Sequence, residues 1–154
     1  MANAPRPVGG GPQTDFRLVA HVLATAIEEA DTGQVKTAVA TAARRLGEVI
    51  GEDVRARLRP GAGFERQLEA VEDVLSEYGF RPYREGAEVR LANCPFDPLA
   101  QEHMVLVCGA NLAFLDGLVV GLRTAEVEVR LDPERGRCCV IVGATGSEPT
   151  YRGG

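Results

Sequence analysis

Residues 93–122, NCPFDPLAQEHMVLVCGANLAFLDGLVVGL, narrow the possible folds more than any other stretch. This is the longest apolar run, and it holds two of the four cysteines and one of the two histidines. It opens like a helix. Asp97 offers an N-cap carboxylate, and Pro98 stands at the first helical position, where a missing N–H costs nothing. No breaker follows before Arg123-Thr124, so one helix of about 25 residues, roughly 37 Å long, is predicted. It is apolar nearly all the way round and is therefore expected to be buried. Gly109, Ala113, Gly117 and Gly121 recur every four residues along it. Glycine inside a helix costs about 1 kcal/mol against alanine, so such a stripe points to a second backbone in close approach. A dimerising membrane span has the same spacing. Asp116 within the run, together with His103 and Asn111, favours the core helix of a soluble domain.

The rest of the chain supports that choice. Its 154 residues suffice for one domain with a real core, and 45% hydrophobic and 25% charged residues are ordinary for a globular protein. A net charge of −5 argues against this chain gripping nucleic acid alone, and Lys36 is its only lysine. The first fifteen residues contain no apolar signal core, so a cytoplasmic, reducing setting is expected. In such a setting the cysteines are thiols or metal ligands rather than disulfides.

In chain order, residues 1–15 are rich in Gly and Pro and read as a flexible leader. A first helix is predicted over Phe16–Glu29, a second from near Thr32 to about Leu58, and a third over Phe64–Tyr78 with Gly79 as its left-handed stop. The period then changes. Phe80–Arg84 and Ala87–Ala92 alternate as a hairpin turning near Glu85-Gly86, with Pro82 marking an edge strand. After the central helix, Glu126–Leu131 alternates cleanly, and Arg137–Val142 is apolar on both faces. Residues 143–154 read as a disordered tail. The expected fold class is therefore α+β, in the order ααα-ββ-α-ββ, with a mostly antiparallel sheet packed on helices in one domain over 16–142.

Few residues offer chemistry. Ser76 and Ser147 are the only serines, and neither stands in a nucleophile-elbow context, so no enzyme is expected. Gly9-Gly10-Gly11 is not followed by the Lys and Ser or Thr of a phosphate loop. Cys94, Cys108, Cys138 and Cys139, with His103 between the first two, are a soft donor set suited to zinc or an iron–sulfur cluster. Their spacing is not that of a zinc finger, and Cys108 also fits a buried, inert thiol. With a helix starting at Pro98, Cys94 and Cys108 stand about 15 Å apart, so shared ligation requires residues 95–102 to fold back. His103 and Cys108 are about 140° apart around such a helix. Adjacent residues of a regular strand face opposite ways, so only one of Cys138 and Cys139 can join the other cysteines; Cys139, sharing a face with Ile141, is favoured.

Asn93-Cys94-Pro95-Phe96, then Leu99-Ala100, Glu102-His103, Leu106-Val107-Cys108-Gly109 and Asn111, with Leu131-Asp132-Pro133 and Cys138-Cys139-Val140 beyond, form a recognisable string. It resembles the C-terminal sensor half of bacterial winged-helix transcriptional regulators, the ArsR/DeoR-like group that includes the iron–sulfur repressor SufR. The likeness runs from about Phe16 to Val142 and includes the Gly79-Phe80-Arg81-Pro82 turn. It implies a regulatory sensing domain whose Cys94, Cys108 and one of Cys138 or Cys139 hold an iron–sulfur cluster, with zinc as the alternative. His103 matches a position often occupied by histidine in the wider group and is a further possible metal ligand. The group carries its DNA-binding winged helix upstream of such a domain, and residues 1–15 resemble the linker that follows it; DNA binding is carried over to no residue here. The competing expectation is a dimerisation or small-ligand domain with structural cysteines. A homodimer is expected through the glycine stripe, unless that stripe packs within the chain on Phe16–Glu29 or the sheet. No membrane partner is expected.

Overall fold

The computed structural model describes residues 16–30, 33–132, 138 and 140–146. Their order is α1 (Phe16–Ala30), α2 (Gly33–Arg57), α3 (Phe64–Glu77), β1 (Pro82–Glu85), β2 (Glu88–Leu91), α4 (Asp97–Glu102), α5 (Met104–Leu122), β3 (Val127–Leu131) and β4 (Val140–Ala144). This is the expected α+β layout. The four strands form one antiparallel sheet in the order β1-β2-β4-β3. β1, with Pro82, lies on the edge, where a missing N–H leaves no ladder bond unmade. The expected leader, and residues 147–154 of the expected tail, lie outside the described residues. That tail was placed too early, since Gly143 and Ala144 belong to β4 and pair with Glu128 and Val127.

The predicted 25-residue helix is two helices. It breaks at His103, whose φ of −126° and ψ of 43° leave the helical region, so α4 is a six-residue turn and α5 carries the apolar run. The expected cap is also displaced by one residue: Asp97 lies in the first turn of α4, and Phe96 is the flanking residue. α5 is long and apolar enough to cross a bilayer by length and composition, but half of that window is buried within the protein. Asp116, its one acidic residue, forms an ion pair with Arg44 of α2.

The glycine stripe does bring two backbones together, and its partner is α2 rather than a second copy, α1 or the sheet. Gly47 and Gly51 of α2 oppose Gly117 and Gly121 of α5. A Cβ on any of the four would fall inside contact distance of the other helix's backbone. Gly109, the first of the stripe, faces open space. Around this seam Leu115 and Leu118 of α5 meet Leu68, Val71 and Leu75 of α3 and Val89, Val140 and Val142 of the sheet, all fully buried. α3 ends where Gly79 (φ 86°) was expected to stop it: Phe80 N–H reaches Leu75 C=O at 3.1 Å and Gly79 N–H reaches Ser76 C=O at 3.2 Å. That is a Schellman closure.

Candidate functional site

The loop between β2 and α4 is held by Asn93. Its Oδ1 accepts from Arg81 N–H at 2.6 Å and its Nδ2 donates to Gly79 C=O at 3.2 Å, which ties the loop to the end of α3. Asp97 N–H bonds back to Cys94 C=O at 3.0 Å, so Cys94 sits at the head of a tight turn. α4 then runs from Asp97 to Glu102 and α5 starts at Met104, so no single helix separates Cys94 from Cys108. From the other side comes Cys138, buried just before β4, its N–H bonded to Leu91 C=O at 3.2 Å.

These two thiols meet. The Cys138 side chain hydrogen-bonds the Cys94 sulfur, and this bond is the main cause that lowers the Cys94 pKa from 9.0 to about 7. Burial opposes the shift, the Phe96 N–H adds to it, and the charge of Asp97 opposes it. Asn111 of α5 donates from Nδ2 to the Cys138 sulfur at 3.3 Å. Cys108, half-buried, precedes Asn111 by three residues and so lies one helical turn away on the same side of α5. Cys138 is the described residue at this corner; Cys139, the favoured one, lies outside the described residues. Cys138 also precedes the strand, which begins at Val140, so strand alternation does not govern where it points.

Asn111 has a second neighbour. Only 3% exposed, it borders a cavity of about 430 Å³ walled by apolar side chains of α1, α2 and α5 and by Tyr78, Phe80 and Phe96. Its Oδ1 has no hydrogen-bond partner among the described residues.

His103 turns elsewhere. Its Nδ1 lies 2.7 Å from Glu28 Oε2 and its Nε2 lies 3.2 Å from His21 Nδ1, both on α1. His21 Nδ1 also lies 3.4 Å from Glu102 Oε2. Sequence reasoning passed over His21, Glu28, Glu102 and the polar role of Asn111. A signal was present: His21 and Glu28 are seven residues apart on one helix, hence on one face, and Glu102-His103 are adjacent.

Comparison with protein-family models, curated proteins and solved structures finds no match to this chain.

Proposed function

We propose that this chain is a regulatory sensing domain, the effector half of a winged-helix type of regulator, whose sensing element is the Cys94–Cys138 thiol pair, with Cys108 of α5 as a further ligand. The observation that carries this reading is the contact between Cys94 and Cys138, 44 residues apart in the chain, with Cys108 one turn along α5. Buried cysteines are common, but two sulfurs in contact, one of them with a lowered pKa, are the donor arrangement of a metal or redox site. An iron–sulfur cluster would not require the three sulfurs to crowd one ion, because each cysteine can reach its own iron. When bound, such a cluster supplies oxidation-sensitive iron and sulfide. The protein contributes the rest. The Asn93 clamp fixes Cys94, Leu91 fixes the Cys138 backbone, and Asn111 directs an N–H at the Cys138 sulfur, a bond of the kind that tunes a thiolate ligand.

Anaerobic reconstitution with iron and sulfide, followed by iron counting and visible absorption, tests the reading. The wild-type chain is expected to take up a coloured cluster, and Cys94→Ser, Cys108→Ser and Cys138→Ser are each expected to lose it. Zinc uptake by the same cysteines would replace the cluster with the alternative metal. Cysteine variants that bind as wild type does would end the proposal.

A second reading rests on the cavity. Its volume of about 430 Å³ lies in the range of small-molecule sites, and a single polar group in an apolar wall is how such sites orient a ligand. The occupant would be an apolar molecule carrying one hydrogen-bond donor for Asn111 Oδ1. Apolar alcohols or phenols that raise Tm more than the matching hydrocarbons, with the difference abolished by Asn111→Leu, would support it; equal shifts would not.

A further inference from the structure

We propose that His21, Glu102 and His103 form a binding site for a divalent ion of the zinc class, separate from the cysteines. Among the described residues this is the one set of three His, Cys, Asp or Glu side chains whose ligand atoms all lie within 4.8 Å of one another. It joins two parts of the chain: His21 comes from α1, and Glu102 and His103 come from the joint between α4 and α5.

The protonation pattern leads to a cation. Glu28 lies 2.7 Å from Nδ1 of His103, whose side chain is only 7% exposed. A carboxylate there holds the proton on Nδ1 and leaves Nε2 as a lone-pair donor, the second partner that metal-bound histidines commonly have. Nε2 faces His21 Nδ1 at 3.2 Å, and that nitrogen faces Glu102 Oε2 at 3.4 Å. A single proton on His21 Nδ1 can serve one of these two acceptors but not both. The spacing has a direct geometric reading. Ligands held tetrahedrally at about 2.0–2.1 Å from zinc stand about 3.3–3.4 Å from one another. Both separations are close to that edge. Two imidazoles and a carboxylate suit zinc, and three protein ligands leave a fourth position for water.

The ion would act as a clasp. α1 supplies Ala20, Leu23, Ala24 and Ile27 to the cavity wall, and His21 and Glu28 stand on that same helix. A metal bridging His21 to Glu102 and His103 fixes this wall against α4 and α5.

The test uses the full chain with all four cysteines changed to serine, freed of metal and titrated with Co(II), then with Zn(II) against a chromophoric chelator. About one equivalent is expected, with the visible bands of tetrahedral cobalt and no sulfur-to-cobalt charge transfer. His21→Ala or Glu102→Gln, both at exposed positions, should weaken binding by roughly tenfold or more, and Glu28→Gln by about 10–100-fold. Zinc should also slow amide exchange in α1. If the four-serine chain does not hold its fold, zinc counted by native mass spectrometry on the wild-type chain and its His21→Ala variant decides the matter, with loss of one ion expected. No cobalt bands in a folded four-serine chain, or His21→Ala binding zinc as its parent does, would overturn the site and leave a hydrogen-bonded proton relay. Iron and sulfide counted on wild type report on the cysteines alone, so either site can fail without the other.

Discussion

At Cys94 one hydrogen bond from Cys138 sets how much thiolate the residue carries. A lowered pKa favours the charged form, so thiolate is present at neutral pH and is lost as pH falls through about 7. The alkylation rate of Cys94 in metal-free protein, followed by peptide mapping, should have its midpoint near about 7. Cys138→Ala should move that midpoint upward towards 9.0, because it removes the largest cause of the shift. An unchanged midpoint would mean that the Phe96 amide dominates. Cys94 lies just before α4, a helix whose dipole would also favour the thiolate. That helix is six residues, and its end is not the main influence. The partner was illegible for a physical reason: Cys94 and Cys138 meet across 44 residues, and nothing local to either records that contact. His21 was hidden similarly. It meets His103 across 82 residues, and nothing local to either records that distance.

Elements were more legible than their joints. Each helix and hairpin forms near its predicted place, because apolar periodicity and the Gly79 and Pro82 punctuation are local signals. The break at His103 was missed because the residues on either side have good helix propensity and no breaker separates them. What favours the break is tertiary: the turn lets His103 reach Glu28 and His21, and propensity yields to such contacts. The glycine stripe was read correctly as a close approach, while its partner, α2, carries its own glycines at the same spacing and was not matched to it. This seam separates two substitutions that look alike. Gly117→Ala places a Cβ against the Arg44 carbonyl and should destabilise by about 1–3 kcal/mol, since two backbones must part. Gly109→Ala meets nothing within 4 Å and should stabilise by about 0.4–1 kcal/mol through helix propensity. Urea denaturation of both variants reads the opposite signs; equal signs would mean that the seam is looser than described. Leu115→Ala, at a fully buried position, should cost about 2–5 kcal/mol in the same assay.

For the molecule as a whole, the outer side of α1 is the conspicuous surface. Leu18, Val19 and Val22 are each more than half exposed, at 71%, 57% and 57%, and Leu18 and Val22 fall at i and i+4 along the helix. With the glycine stripe consumed by α2, this is the face through which the expected homodimer should form. Sedimentation equilibrium should find a dimer at micromolar concentrations, and Leu18→Glu with Val22→Glu should return it to monomer; a wild-type chain that stays monomeric at high micromolar concentration would sink the idea. One further consequence follows from the position of Asn111, whose carboxamide touches the Cys138 sulfur on one side and the apolar cavity on the other. Thermodynamic reciprocity then applies: if a cavity occupant draws that carboxamide away and changes metal affinity at the thiols by some factor, metal at the thiols must change the occupant's affinity by the same factor. A single side chain would make the domain a two-input device, in which neither a metabolite nor a metal is read without reference to the other.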